Sequence, residues 1–470
     1  MLNNTNTGWP QKPLSEVVDL NPRLDKSAYR DDLEVSFVPM AAVEAGSGRM
    51  EVSQARRFST VRMGYTPFRE GDVLFAKITP CMENGKMAVV PKLSNGLGFG
   101  STEFHVLRPH QGIDPRYVYY FVSSQGFRRE AAHRMTGAVG QKRVPKSFLE
   151  EASIPVPRFD DQQWIVAEIE KQFSRLDEAV ANLKRVKANL KRYKVAVLKA
   201  AVEGKLTEDW RKQHPDVEPA SKLLERILAE RRAKWSGKGK YKELPIPDTT
   251  ILPSFPLTWT WSSVETICSD VGDCPHSTPK WQATGRVCLR TTEFRSGRLD
   301  LSDVRYVSQA TYEARIQRLT PRENDIVYSR EGGILGLACM IPARLNPCLG
   351  QRMMLLRSHA LFSPNLLMYW LNSPDLLARV RSLTGGSASP HLNVGEVKSF
   401  PVPVTPVAEQ NAIVAEVERR LSVIEELEAT AEANFTRADR LRQSILSGAF
   451  SGKLFTREPK PAHSEVNSVS

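Results

Sequence analysis

The chain has 470 residues, 41% hydrophobic and 25% charged, which is ordinary for a soluble protein and enough for two or more domains with cores of their own. It has no long apolar run of the kind that crosses a bilayer, and Met1-Leu2-Asn3-Asn4-Thr5 lacks the basic-then-apolar layout of a secretion signal, so a cytoplasmic protein is expected. The net charge of +12 favours a phosphate-rich partner such as nucleic acid. From the N-terminus, residues 1–157 mix short β-type runs with turns: Val35-Ser36-Phe37-Val38, Asp72-Val73-Leu74-Phe75-Ala76 and Met87-Ala88-Val89-Val90. One helix is predicted over 115–132. Residues 158–206 carry a long helical stripe, and 207–255 form a polar linker with a short amphipathic helix at 220–235. Residues 256–405 return to short strands (Asp325-Ile326-Val327-Tyr328-Ser329) with a helix over 364–383. A second long helix is predicted within 406–455, and 456–470 read as a disordered tail.

The second half repeats the first. Ile154-Pro155-Val156-Pro157 matches Phe400-Pro401-Val402-Pro403. The run Ile165-Val166-Ala167-Glu168 matches Ile413-Val414-Ala415-Glu416, and the block ending in Gly204-Lys205-Leu206 matches the one ending in Gly452-Lys453-Leu454. The last two blocks keep a constant offset of 248 residues without a gap. Fainter echoes are Trp9 and Trp261, Gly71-Asp72 and Asn324-Asp325, and Thr136-Gly137 and Thr384-Gly385. The chain thus alternates two variable segments with two alike ones.

The alike segments have apolar residues every three or four positions. Ile165, Ile169, Phe173, Leu176, Leu183 and Leu190 mark the first, with Val180, Val186, Tyr193 and Val197 between and beyond them. Ile413, Val417, Leu421, Ile424, Leu441 and Ile445 mark the second, with Leu427 among them. No proline interrupts them, and Gly204 and Gly452 stand where a left-handed C-cap belongs. A helix of about forty residues is about 60 Å long. Residues 161–178 hold five acidic and two basic side chains and 182–199 hold seven basic ones. Residues 409–432 hold seven acidic and two basic, and 433–450 three basic and one acidic. Only antiparallel pairing sets the basic half of one against the acidic half of the other, so an antiparallel coiled coil acting as a spacer is expected, with separately packed helices as the alternative. The fold class is α/β (α+β): two related domains joined by two long helices, with a pseudo-twofold internal repeat.

Polar and basic residues gather in the loops of each variable segment. Lys77, Thr79, Asn84, Lys86, Gln141, Lys142 and Arg143 are the candidates in the first, and Arg290, Arg330, Glu331, Gln351, Arg352, Ser389 and His391 in the second. Arg and Lys suit guanine edges, Asn and Gln adenine, and Glu cytosine. The glycine-rich stretches 136–140 and 384–387 permit close approach to a phosphate backbone.

With its Pro-Val-Pro entry, Ile-Val-Ala-Glu core and Gly-Lys-Leu exit, and with Thr79-Pro80-Cys81-Met82-Glu83-Asn84-Gly85-Lys86 in the first variable segment, the chain resembles the specificity subunits of type I restriction-modification enzymes over nearly its full length. The second half departs from that stretch, reading Ser329-Arg330-Glu331-Gly332-Gly333, so the two halves are expected to read different bases. The resemblance implies two target recognition domains, each bound to half of a split, asymmetric DNA site. It also implies helices that dock two methyltransferase subunits, and restriction/translocase subunits that complete the complex. S-adenosylmethionine, ATP and Mg would belong to those partners, with no cofactor and no catalysis on this chain.

Three stretches carry traces of other chemistry. Asn346-Pro347-Cys348-Leu349 lacks the second proline and the aromatic of an amino-methyltransferase tetrad. Cys268, Cys274 and His276 fit no standard zinc spacing, and the six cysteines include no Cys-x-x-Cys pair. Asp375 with Glu396-Val397-Lys398 imitates a Mg-dependent nuclease triad, which leaves a self-sufficient restriction endonuclease as the alternative function.

Overall fold

The computed structural model describes residues 9–138, 140–237, 239–249, 252, 254–385 and 390–453. Two compact units emerge: residues up to Lys184 together with those from Glu432 onward, and Arg185–Ala431. The expected tail at 456–470 lies outside the described residues.

The first unit contains two four-stranded sheets. In one, Val18–Leu20, Phe104–Pro109, Val73–Ala76 and Met87–Val89 lie side by side, all antiparallel. Every residue of Val73–Ala76 is buried, because the strand is covered on both faces. In the other, Ala55–Arg57, Glu34–Val38, Leu97–Gly100 and Thr66–Arg69 are neighbours, and Glu34–Val38 runs parallel to Leu97–Gly100. A two-stranded ribbon joins Gln11–Pro13 to Ser153–Pro155.

The second unit repeats this plan. Cys268–Asp273, Met353–Ser358, Ile326–Ser329 and Ala338–Met340 form the antiparallel sheet. Trp281–Gln282, Arg305–Val307, Arg286–Leu289 and Cys348–Leu349 form the other, again with one parallel pair, Arg286–Leu289 with Cys348–Leu349. Thr260–Ser263 pairs with Pro401–Val404 as the ribbon. Each variable segment thus holds two four-stranded sheets.

The single helix expected in each variable segment is broken in two. The first unit has Pro115–Ser123 and Gln125–His133, the second Pro364–Leu371 and Pro374–Thr384. The reason is capping. Ser124 and Ser373 take extended backbone angles, and their hydroxyls accept the N–H groups of Phe127 and Leu376. Each serine thereby starts a new helix.

The long helices are Phe159–Val202 and Val407–Phe450. Gly204 and Gly452 follow them with φ of 75° and 69°, the left-handed conformation that closes a helix end. In the first unit, Ile165, Val166 and Ile169 of one helix share a core with Ile445, Leu446, Ala449 and Phe450 of the other, beside Tyr117, Phe121 and Phe127. In the second unit, Val197, Leu198, Ala201 and Val202 share a core with Ile413 and Val417, beside Leu366, Leu367 and Trp370. Within each unit the start of one helix therefore meets the end of the other, as antiparallel pairing requires. The charge bias is realised where Arg442 pairs with Asp177 while its guanidinium covers the Phe173 ring at 4.5 Å.

Of the apolar stripe, Leu190, Ile413, Val417, Ile424 and Ile445 are buried, and Phe173, Leu176, Leu183 and Leu421 partly so. Val186, Tyr193, Leu427 and Leu441 depart from the expected seam and stand exposed, together with Val423. Two helices alone cannot cover an apolar stripe this wide.

Candidate nucleic-acid interface

In the first unit three distant segments meet at one end of the Val73–Ala76 strand. Lys77 donates its N–H to the Glu103 carbonyl at 2.9 Å, and the Lys77 carbonyl accepts from Val144 N–H at 2.9 Å. Thr79 N–H reaches the Lys142 carbonyl at 3.0 Å, and Thr136 and Arg143 exchange two backbone bonds. The turn over residues 78–86 is closed by Met82 N–H to Ile78 O and Asn84 N–H to Pro80 O, both 3.0 Å, and by Gly85 at φ 70°. Arg128 secures it by donating to the Glu83 carbonyl at 2.6 Å. All seven first-half candidates are thus brought together.

Their side chains differ in freedom. Asn84, Gln141 and Lys142 are exposed, and Lys77 is half-buried. Thr79 donates to Glu83 at 2.9 Å, and Lys86 donates to the Met40 carbonyl at 3.0 Å. Arg143 closes a two-bond fork on Glu103, both arms at 2.9 Å. That fork holds the Glu103 carboxyl below its ordinary value, against the upward push of burial. In the glycine-rich stretch, Gly137 has φ 124°, and Val139 lies outside the described residues.

The second unit builds the same clamp from other residues. Arg330 N–H donates to the Arg352 carbonyl at 3.0 Å, and Leu392 N–H to the Arg330 carbonyl at 2.8 Å. Glu331 bridges His391 as Ile78 bridges Arg143. Backbone position by backbone position, Lys77 corresponds to Arg330, Ile78 to Glu331, Glu103 to Arg352, Arg143 to His391 and Val144 to Leu392. A cationic–anionic fork in the first unit is thus replaced by a different charge order in the second.

Arg330 is 5% exposed. It donates from Nε to Asp273 at 3.1 Å and from Nη1 to the Leu392 carbonyl at 3.3 Å, and Nη1 stands 3.3 Å from Glu331. Arg352 is largely exposed and lies 3.9 Å from Glu331. Arg290 folds onto Glu293 at 2.6 Å and onto the Asp303 carbonyl. Ser389, with Gly386 and Ser387, falls outside the described residues.

Sequence reading missed the supports. Glu103, Asp273, His276 and Arg315 each sit where only the fold brings them near the candidates. Arg315 is 8% exposed and holds the carbonyls of Ser277, Leu349 and Gly350. A buried arginine on an amphipathic helix reads in sequence like a surface one, so no signal marked it.

The nuclease-like residues do not converge. Asp375, at the start of a helix, lies 3.9 Å from Lys199. Glu396 caps its own helix at Asn393, and Lys398 pairs with Glu265 at 2.9 Å. Cys348 lies in a strand and is buried. Cys274 is buried against the Met353 N–H, while the His276 side chain is mostly exposed.

The family described as the type I restriction modification DNA specificity domain matches residues 6–192. The type I restriction enzyme EcoAI specificity subunit of Escherichia coli is 28% identical, over 89% of this chain and 78% of that protein. The EcoEI specificity subunit of Escherichia coli is 25% identical, over 91% and 80%. The chain is thus similar to the specificity subunits of type I restriction-modification enzymes over most of its length. Solved structures show a shared fold. A chain from a structure described as the basis of complex assembly and conformational transition of the type I R-M system aligns at TM-score 0.66 and 21% identity, covering 96% of this chain and all of that one. The HsdS subunit from Thermoanaerobacter tengcongensis aligns at TM-score 0.54 and 18% identity, over 96% and 98%.

Proposed function

We propose that the chain is the DNA-reading subunit of a type I restriction-modification complex, each unit contacting one half of a split, asymmetric site in double-stranded DNA. The observation that supports this most is the repeated clamp. Two like backbones present unlike side chains at corresponding positions, which is what reading two different half-sites demands. The net charge of +12 supplies attraction to the phosphates, and the exposed polar tips supply discrimination. Within the first tip, the exposed Asn84, Gln141 and Lys142 are the direct readers, while Arg143 and Lys86 shape the loop. In the second, Glu331, Arg352 and His391 read, and Arg290 shapes.

The chain brings address without chemistry. Methylation is carried out by two methyltransferase subunits and cleavage by restriction/translocase subunits, which hold S-adenosylmethionine, ATP and Mg. The complex works in the cytoplasm. The half-exposed Val186, Tyr193, Val423 and Leu427 offer an apolar face for the methylating partners.

The test uses purified protein. Alone or with its methylating subunits, the chain should bind DNA selectively, with affinity falling steeply as salt rises. It should neither cleave nor methylate until partners are added. Cleavage with Mg alone, lost in Asp375→Ala, would establish the endonuclease reading instead.

A further inference from the structure

Resting on the DNA-reading function proposed above, we infer that Arg330 is a positioning residue, a buried cation that sets the reading surface of the second unit without touching DNA. Four groups converge on the Arg330 side chain, two of them from residues 273–276. Asp273, at the end of its strand, accepts from Nε at 3.1 Å. His276, in the following loop, lies 3.3 Å from Nη2 through its Nδ1. The Leu392 carbonyl accepts from Nη1 at 3.3 Å, and the neighbouring Glu331 carboxylate stands at 3.3 Å. The guanidinium is therefore spent on protein partners, and only 6% of the side chain is exposed.

The groups gathered round it face outward. The side chains of His276 and Arg352 are 65% and 61% exposed. Asp273 also approaches His276 Nε2, at 3.2 Å, so Arg330 and Asp273 together fix the imidazole plane. Gln351 donates its side-chain N–H to the His276 carbonyl, and Thr278 donates to Gln351 at 3.3 Å, so the backbone under His276 is fixed as well. With Nδ1 toward Arg330 and Nε2 toward Asp273, both ring nitrogens are taken, so the imidazole is a fixed part of this surface and not a hydrogen-bonding reader of its own. Arg330, with several partners, sets the whole group at once.

Positioning and direct contact with DNA give different signatures. Each variant would be assembled with its methylating subunits and used to select from a library of random-sequence duplexes. The enriched site and the salt dependence of binding to the wild-type site would then be read. Arg330→Met should relax every base pair of the half-site read by the second unit, leave the other half-site unchanged, and leave the slope of log affinity against log salt unchanged. Asp273→Asn should do the same more mildly, which covers the case in which Arg330→Met unfolds the unit. The inference is overturned if Arg330→Met relaxes a single base pair, or lowers the salt slope by about 0.9, as a lost phosphate contact would. Failure of the wild-type complex to enrich any split site would instead refute the underlying DNA-reading function.

Discussion

Arg108 closes both arms of its guanidinium on Asp72, with Nε and Nη2 each 2.8 Å from a carboxylate oxygen, and Arg357 closes on Asp325 at the same distances. The agreement extends to the backbone. Asp72 also accepts Arg69 N–H at 2.7 Å, and Asp325 accepts Arg322 N–H at 2.8 Å. Each aspartate thus ties the turn before a central strand to the neighbouring strand.

Because Asp72 and Asp325 are 1% and 2% exposed, loss of the arginine strands a buried carboxylate. Arg108→Ala and Arg357→Ala should each destabilise their own unit by about 3 kcal/mol. Hydrogen exchange resolved by peptide should show faster exchange in the mutated unit's antiparallel sheet and little change in the other's.

The same turns share a left-handed backbone position. Gly71 has φ 80° and Asn324, its counterpart, φ 65°. Gly71→Ala should cost about 1 kcal/mol, since a Cβ is strained in the left-handed region. A Cβ there would meet only Pro115, at 3.9 Å, so the cost is conformational and not steric crowding. Asn324→Gly should change stability little, because asparagine already tolerates this region. Urea titrations of the two variants give the comparison.

His105 makes the first unit sensitive to acid. Val106 N–H donates to Asn21 Oδ1 at 2.9 Å, which orients the amide so that Asn21 Nδ2 donates to His105 Nδ1 at 3.1 Å. Nε2 must then carry the proton it donates to the Val144 carbonyl at 2.9 Å, and the ring is neutral. Burial is the main cause that holds its pKa below the ordinary 6.5, with nearby Lys77 and Lys146 adding to it and the Val144 bond and Glu103 opposing. The folded state thus binds fewer protons than the unfolded one. Its stabilising share is complete above pH 6.5 and is lost as pH falls from there through the folded value. Melting of the first unit should fall across that window, and His105→Gln should flatten the fall.

Glu409 is fully buried and accepts from Thr207 at 2.7 Å, Arg211 at 2.5 Å and Trp259 at 2.8 Å. Glu409→Ala should destabilise the second unit by about 3 kcal/mol, leaving Arg211 without its anion. Limited proteolysis should then open the segment around residues 204–213, which is protected in the parent.

The duplicated plan was legible because it is written in repeating apolar positions, in glycines past helix ends and in Pro-Val-Pro entries. Gln162 and Gln410, in register in the repeat, make corresponding bonds: each donates to a carbonyl at the helix entry and accepts a backbone N–H from ahead of the preceding helix pair. The break at Ser124 and Ser373 was not legible as a break, since serine within an apolar stripe fits a helix until its hydroxyl is seen capping. The tips were half legible. Local polarity marked Lys77, Asn84, Arg330 and His391, but which side chains are free depends on Glu103 and Asp273, brought in from other strands. Nothing near Arg330 in sequence foretold that it is buried.

The most direct measurement is methylome sequencing of cells carrying the chain with its methylating partner, beside the first-unit variants Asn84→Ala and Gln141→Ala and the second-unit variant His391→Ala. The account predicts one split motif with an unread gap, whose two halves respond separately to substitutions in the two units. A continuous motif, or a single-unit substitution that alters both halves, would contradict it.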